Sequence, residues 1–130
     1  MPEPQAGSRP VLIVDDDGEL RDVLLVLCEL RGRAAVAVPS AEEAMTRMRD
    51  GLRPSLIVFD LVMPGKGGWE FRAEQLADPS LADIPAVAMS AAVRGESIQK
   101  MLQVEALLPK PLDVDRLLEL IERHCPPLAG

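Results

Sequence analysis

The chain alternates short, wholly apolar runs with stretches in which apolar residues recur every three or four positions. Val11 to Val14 is the first such run, and it ends abruptly at Asp15, Asp16 and Asp17. Four apolar residues without alternation fit a strand buried on both faces. After Gly18 the spacing becomes helical, with Leu20, Val23, Leu24 and Leu27 on one face, and Gly32 suits the left-handed residue that ends a helix. Ala34 to Val38 reads as a second strand. Ser40 and Glu43 then form a capping box for a helix whose face is Ala41, Ala44, Met45 and Met48, closed by Gly51. Ser55 to Phe59 is a third strand stopping at Asp60, and Gly68 to Ala77 a third helix, ended ahead of Pro79. Ile84 to Met89 is a fourth strand leading to Ser90. The helix after it is marked only by Ile98, Met101 and Leu102 and is interrupted by Gly95. Glu105 to Leu108 is a short fifth strand before Pro109, Lys110 and Pro111. Asp113 caps a last helix with Val114, Leu117, Leu118 and Ile121 facing inward.

Five strands alternating with five helices imply parallel strands joined by right-handed crossovers, hence an α/β three-layer sandwich. At 130 residues, 48% of them hydrophobic, the chain suffices for one core and one domain. Residues 1–9 read as a disordered tail without the apolar stretch of a signal peptide, and 125–130 as a C-terminal tail. No run approaches the roughly 18 apolar residues of a membrane span, so the expected compartment is the cytoplasm. Cys28 and Cys125 lack metal-site spacing, and Cys28 falls in an apolar helical run as a small buried residue. The balance of 14 Lys and Arg against 21 Asp and Glu gives a net charge of −7, which repels a phosphate backbone. Direct nucleic-acid binding is therefore not expected.

In an open parallel sheet, ligands bind beyond the carboxyl ends of the strands. Strand one delivers Asp15, Asp16 and Asp17 to that edge, strand three Asp60, strand four Ser90 and strand five Lys110. Carboxylates brought together repel, so either a pKa rises or a cation fills the gap. Oxygen ligands without Cys or His select magnesium, manganese or calcium over zinc. An aspartate can accept a phosphoryl group covalently, and a Lys ammonium with a Ser hydroxyl can contact its oxygens. Taken singly, each residue has a plain reading as a turn acid, an N-cap or a surface lysine. Their joint placement, each after its own strand, raises the chemical reading.

The run Val11 to Asp17, the stretch Asp60 to Pro64 with Gly68, the pair Ser90-Ala91 and the pair Lys110-Pro111 together resemble the receiver domain of two-component response regulators. The resemblance covers roughly residues 10–124. It implies a flavodoxin-like, doubly wound sheet of order 2-1-3-4-5 with five helices. By position it makes Asp60 the phosphoacceptor, with Mg2+ held by Asp16, Asp60 and the backbone carbonyl of Val62, and by Asp15 through a water. Ser90 becomes the switch hydroxyl, and Lys110 and the backbone of Ala91 contact the phosphoryl group. Pro111 is expected to follow a cis peptide bond, and Gly68 to permit a tight start of the third helix. The implied donor is a sensor histidine kinase or a histidine phosphotransfer protein, and the downstream partner is another protein. Such a domain assists its own phosphorylation and dephosphorylation without being an enzyme. Leu107, three before Lys110, stands where the resemblance implies an aromatic residue.

Three rivals remain. A magnesium-dependent phosphatase with an aspartyl nucleophile would want a second acid two residues on, where this chain has Val62. A flavin module would want hydroxyl and glycine donors after strand one, where this chain has aspartates. A receiver-like interaction module that is never phosphorylated would not need the intact set of acids, Ser90 and Lys110.

Overall fold

The computed structural model describes residues 9–128. Five strands, β1 (Val11–Val14), β2 (Ala35–Val38), β3 (Leu56–Asp60), β4 (Ala86–Ser90) and β5 (Ala106–Pro109), alternate with five helices. These are α1 (Gly18–Leu30), α2 (Ala41–Arg49), α3 (Gly68–Ala77), α4 (Glu96–Leu102) and α5 (Val114–His124). All pairings are parallel, as the alternation of elements predicts, and the order is β2-β1-β3-β4-β5, as the resemblance implies.

The absence of alternation in the strands is explained by two cores, one on each face. Leu12, Val14, Ile57, Phe59, Ala86 and Ala88 pack with α2, α3 and Leu102 of α4 on one side. Val11, Ile13, Leu56, Val58, Val87 and Met89 pack with α1 and α5 on the other. Among the described residues, no helix is long and apolar enough to cross a membrane.

The element ends follow local chemistry. Asp17 caps α1 by accepting from the Glu19 and Leu20 amides, and Asp113 caps α5 by accepting from Arg116. Gly32 (φ +68°) and Gly51 (φ +116°) supply the positive φ that ends α1 and α2. Among the described residues only the serine half of the α2 capping box forms, from the Glu43 amide to Ser40 Oγ.

Several expectations are corrected. β4 begins at Ala86 rather than Ile84, because Pro85 has no amide to donate and the Ile84 amide is used in a turn to Leu81 O. β3 runs through Asp60, so the acid is the last strand residue rather than the first loop residue. Gly95 lies before α4 at φ +111° instead of interrupting it. Val23 and Met101, expected to face inward, are 49% and 67% exposed. Leu24 and Cys28 set the buried stripe of α1, leaving Val23 off it, and α4 is so short that Leu102 alone is fully buried. Of the tail at 1–9, residues 1–8 lie outside the described residues, and Arg9 donates to the carbonyls of Arg53 and Pro54. At the other end Cys125 is buried and the Leu128 amide donates to Gly32 O, while 129 and 130 lie outside the described residues.

Candidate functional site

The carboxyl ends of β1, β3, β4 and β5 deliver their polar residues to one edge. Asp15, fully buried just after β1, accepts the Asp17 amide at 2.9 Å, which turns the chain into α1. Asp60, 7% exposed, accepts the Val62 amide at 3.0 Å. From the far strand, Lys110 Nζ reaches both acids, donating to Asp15 Oδ2 at 2.9 Å and Asp60 Oδ2 at 2.8 Å. Asp16 is exposed, and one oxygen each of Asp15, Asp16 and Asp60 lies within 4.8 Å of the others.

Electrostatics set the character of this edge. Each pair of carboxylates at such separations repels by about 1 kcal/mol in water and several times that at a protein-like dielectric. One ammonium offsets only one of three charges. Burial pulls the Lys110 pKa down, but its hydrogen bonds to Asp60 and Asp15 and their negative charge outweigh this, so it rises above the ordinary value. The donor set is all oxygen, partly buried and open on the Asp16 side, which fits a hard divalent cation that keeps waters.

Ser90 ends β4, fully buried, and its hydroxyl accepts the amides of Ala92 at 3.1 Å and Val93 at 2.8 Å. Its carbonyl accepts the Lys110 amide at 2.9 Å, tying strand ends four and five together. Ala91 is exposed, and Val62 is 68% exposed beside Asp60. The Lys110–Pro111 peptide is cis, as expected. Gly68 is buried because the first turn of α3 sits against the Asp60 carbonyl, and its amide donates to Leu61 O at 3.0 Å. Leu107 is half-buried and packs into the α2–α3–α4 core. The Gly65–Gly68 loop carries Lys66, whose ammonium is paired with Glu74 of α3.

One residue escaped the sequence reading. Arg21 Nη1 donates to the Asp15 carbonyl at 2.7 Å and holds the β1–α1 turn. The available signal is a cation near the start of α1, where the helix dipole disfavours it. A cavity of about 510 Å³, lined by Arg9, Pro10, Arg47, Asp50 and Arg53 among others, lies at the opposite, amino end of the strands. The acidic edge is ion-sized, and the cavity plays no part in it.

The response regulator receiver domain family matches this chain over residues 11–122. The chain is 33% identical over 117 residues to an uncharacterised 14.6 kDa protein of Leptolyngbya boryana, covering 88% of each. It is 29% identical over 98 residues to the phosphate regulon transcriptional regulatory protein PhoB of Pseudomonas aeruginosa, covering 75% of this chain and 42% of that one. A crystal structure of a response regulator receiver protein from Pseudomonas putida superposes with a TM-score of 0.80 at 32% identity, over 88% of this chain and 97% of that one. The αβ fold, with its acidic strand edge facing a lysine, agrees with that family. This chain belongs to the response regulator receiver domain family of two-component systems.

Proposed function

We propose that this domain, residues 10–124, takes a phosphoryl group on Asp60 from a phosphohistidine of a sensor kinase or phosphotransfer protein. The observation that carries the reading is Lys110 bridging Asp15 and Asp60 while Asp16 completes an acidic cluster. A carboxylate oxygen of Asp60 forms the new P–O bond, the P–N bond breaks, and the imidazole nitrogen leaves with the electron pair. Asp16, Asp60 and the Val62 carbonyl would hold Mg2+, with Asp15 acting through a water, and the ion would supply charge neutralisation for the phosphoryl oxygens.

The chain's own residues do the rest. Lys110 shifts from the Asp60 carboxylate to a phosphoryl oxygen, retaining Asp15 as its anchor. The Ala91 amide donates to a second oxygen. Ser90 supplies a hydroxyl to a third by rotating to another staggered well, which carries its oxygen away from the Ala92 and Val93 amides. The loop after β4 loses its internal cap at that moment, so the event is felt toward α4. Val62 offers no acid for turnover, so the domain is a phosphoacceptor rather than a phosphatase.

Acetyl phosphate with Mg2+ should add one phosphoryl group to the wild type, read by intact mass. Asp60→Ala should take up none and Asp16→Ala very little. Full labelling of Asp60→Ala would overturn the reading.

A further inference from the structure

The two ends of α4 are held very differently. At its start, Gly95 has φ +111°, and no side chain caps the first turn. At its end, the guanidinium of Arg72 on α3 donates from Nε to Leu102 O at 2.9 Å and from Nη2 to Gln103 O. Gln103 is the non-glycine residue with a left-handed backbone, φ 54°, among the described residues. Arg72 is 5% exposed. Its Nη1 is paired with the amide oxygen of fully buried Gln75, whose Nε2 donates to Leu81 O at 2.8 Å and Ile84 O at 3.0 Å.

A charged side chain on the inward face of a helix is tolerated only when fully bonded. Here each bond goes to an otherwise orphaned carbonyl or to a side chain that itself binds two carbonyls. The network joins α3, the 81–84 turn before β4 and the last residues of α4 into one block. That block is fixed to the same helix whose first turn packs on the Asp60 carbonyl. The uncapped end of α4, which packs on the core through Ile98, faces the loop that Ser90 caps.

We propose that Arg72 is the pivot of the switch: α4 swings about a C-terminal end clasped by Arg72 and Gln75, and the motion is taken up by residues 91–98. This rests on the phosphoacceptor reading and says which part of the domain moves and which is held. The clasp converts a change at Ser90 into rotation of a short helix rather than its detachment or unfolding.

Hydrogen exchange of the whole chain, with and without beryllofluoride and Mg2+, tests it. In the wild type, exchange in 91–98 should change by about tenfold or more while 102–105 stays within about twofold. In Arg72→Met, which keeps the apolar stem, the change should spread through 99–105, since two charge-assisted bonds to α4 are gone. An equal response at both ends of α4 in the wild type, or an unaltered gradient in Arg72→Met, overturns the pivot. Should Arg72→Met fail to fold, the wild-type gradient alone decides. Fluorine NMR of bound beryllofluoride separates the two readings. Without uptake by the wild type, the phosphoacceptor reading falls and the pivot with it. Uptake with a uniform exchange response overturns the pivot alone.

Discussion

Replacing Gly68 by alanine should damage both stability and the site, and the size of the effect can be worked from three distances. A Cβ there would lie 2.5 Å from the Asp60 carbonyl oxygen, 2.6 Å from Leu61 Cα and 3.1 Å from Phe59 Cδ2. Carbon contacts are comfortable at about 3.5–4.0 Å, so the overlap approaches 1 Å. Overpacking typically costs about 1–3 kcal/mol, the lower values arising where side chains yield. Two of the three obstacles here are backbone, so the upper end applies, less a fraction regained from the better helix propensity of alanine. A net loss of about 2–3 kcal/mol lowers Tm by roughly 10 °C for a domain of this size. Outward movement of α3 would relieve the clash but stretch the bond from the Gly68 amide to Leu61 O. That drags the loop next to Asp60, so phosphoryl uptake should slow as well. Gly32→Ala is the control, with φ +68° and nothing within 4 Å of its added methyl. It should cost only the left-handed penalty of about 1–2 kcal/mol and leave uptake intact. Calorimetry and acetyl phosphate labelling decide the matter. A Gly68→Ala domain melting within about 1 °C of wild type would show that the close approach is not a constraint.

Lys110→Met should destabilise the metal-free domain by about 3 kcal/mol in chemical denaturation, because two buried carboxylates lose their cation, the low end applying as the ammonium is partly exposed. The Lys110 pKa lies above 10.5 in the folded state, so its contribution is complete below that pH and lost as pH rises through the folded value; the gap to Lys110→Met should close only there. Burial, then the proximity of Cys125, pushes the Cys28 thiol up to about 11, so the stability it lends is full below pH 9.0 and declines toward 11. The native protein should accordingly resist thiol alkylation at pH 8 and react after unfolding, and rapid native labelling of Cys28 would contradict its burial. Val62→Asn places an amide at an exposed position beside Asp60 and should shorten the phosphorylated lifetime by holding the attacking water. An unchanged decay rate would remove water alignment there as the limiting factor.

The convergence of Asp15, Asp60 and Lys110 was legible in the sequence because each follows an apolar run too short to be anything but a buried strand. Parallel pairing then leaves one edge for all of them. The clasp around Arg72 was not legible, since periodicity counts polar residues as outward, and nothing local distinguishes a buried arginine from a solvated one. Its partners are backbone carbonyls 30 and 31 positions away, invisible to any window along the chain. The orientation of the Ser90 hydroxyl was equally hidden, because sequence specifies that oxygen but not which staggered well it occupies. Val23 and Met101 were misplaced for a simpler reason. An apolar residue satisfies a helical pattern whether or not the core reaches it, and exposed apolar side chains are common.

The support beneath Asp60 has a further consequence for how such a domain can fail. Its strand is gripped on both sides: the Leu61 amide donates to Met89 O, and α3 rests on its carbonyl through Gly68. The proposed acceptor therefore sits on an anvil, and the proposed pivot at Arg72 puts the compliance in the segment after Ser90. Stress generated at a stiff support is relieved in the softest connected element. Lesions at the anvil should yield alleles that never receive the signal, whereas lesions in the compliant segment should yield alleles that receive it normally and stay silent. The two classes would be separable genetically, and along the chain they would fall on opposite sides of Ser90.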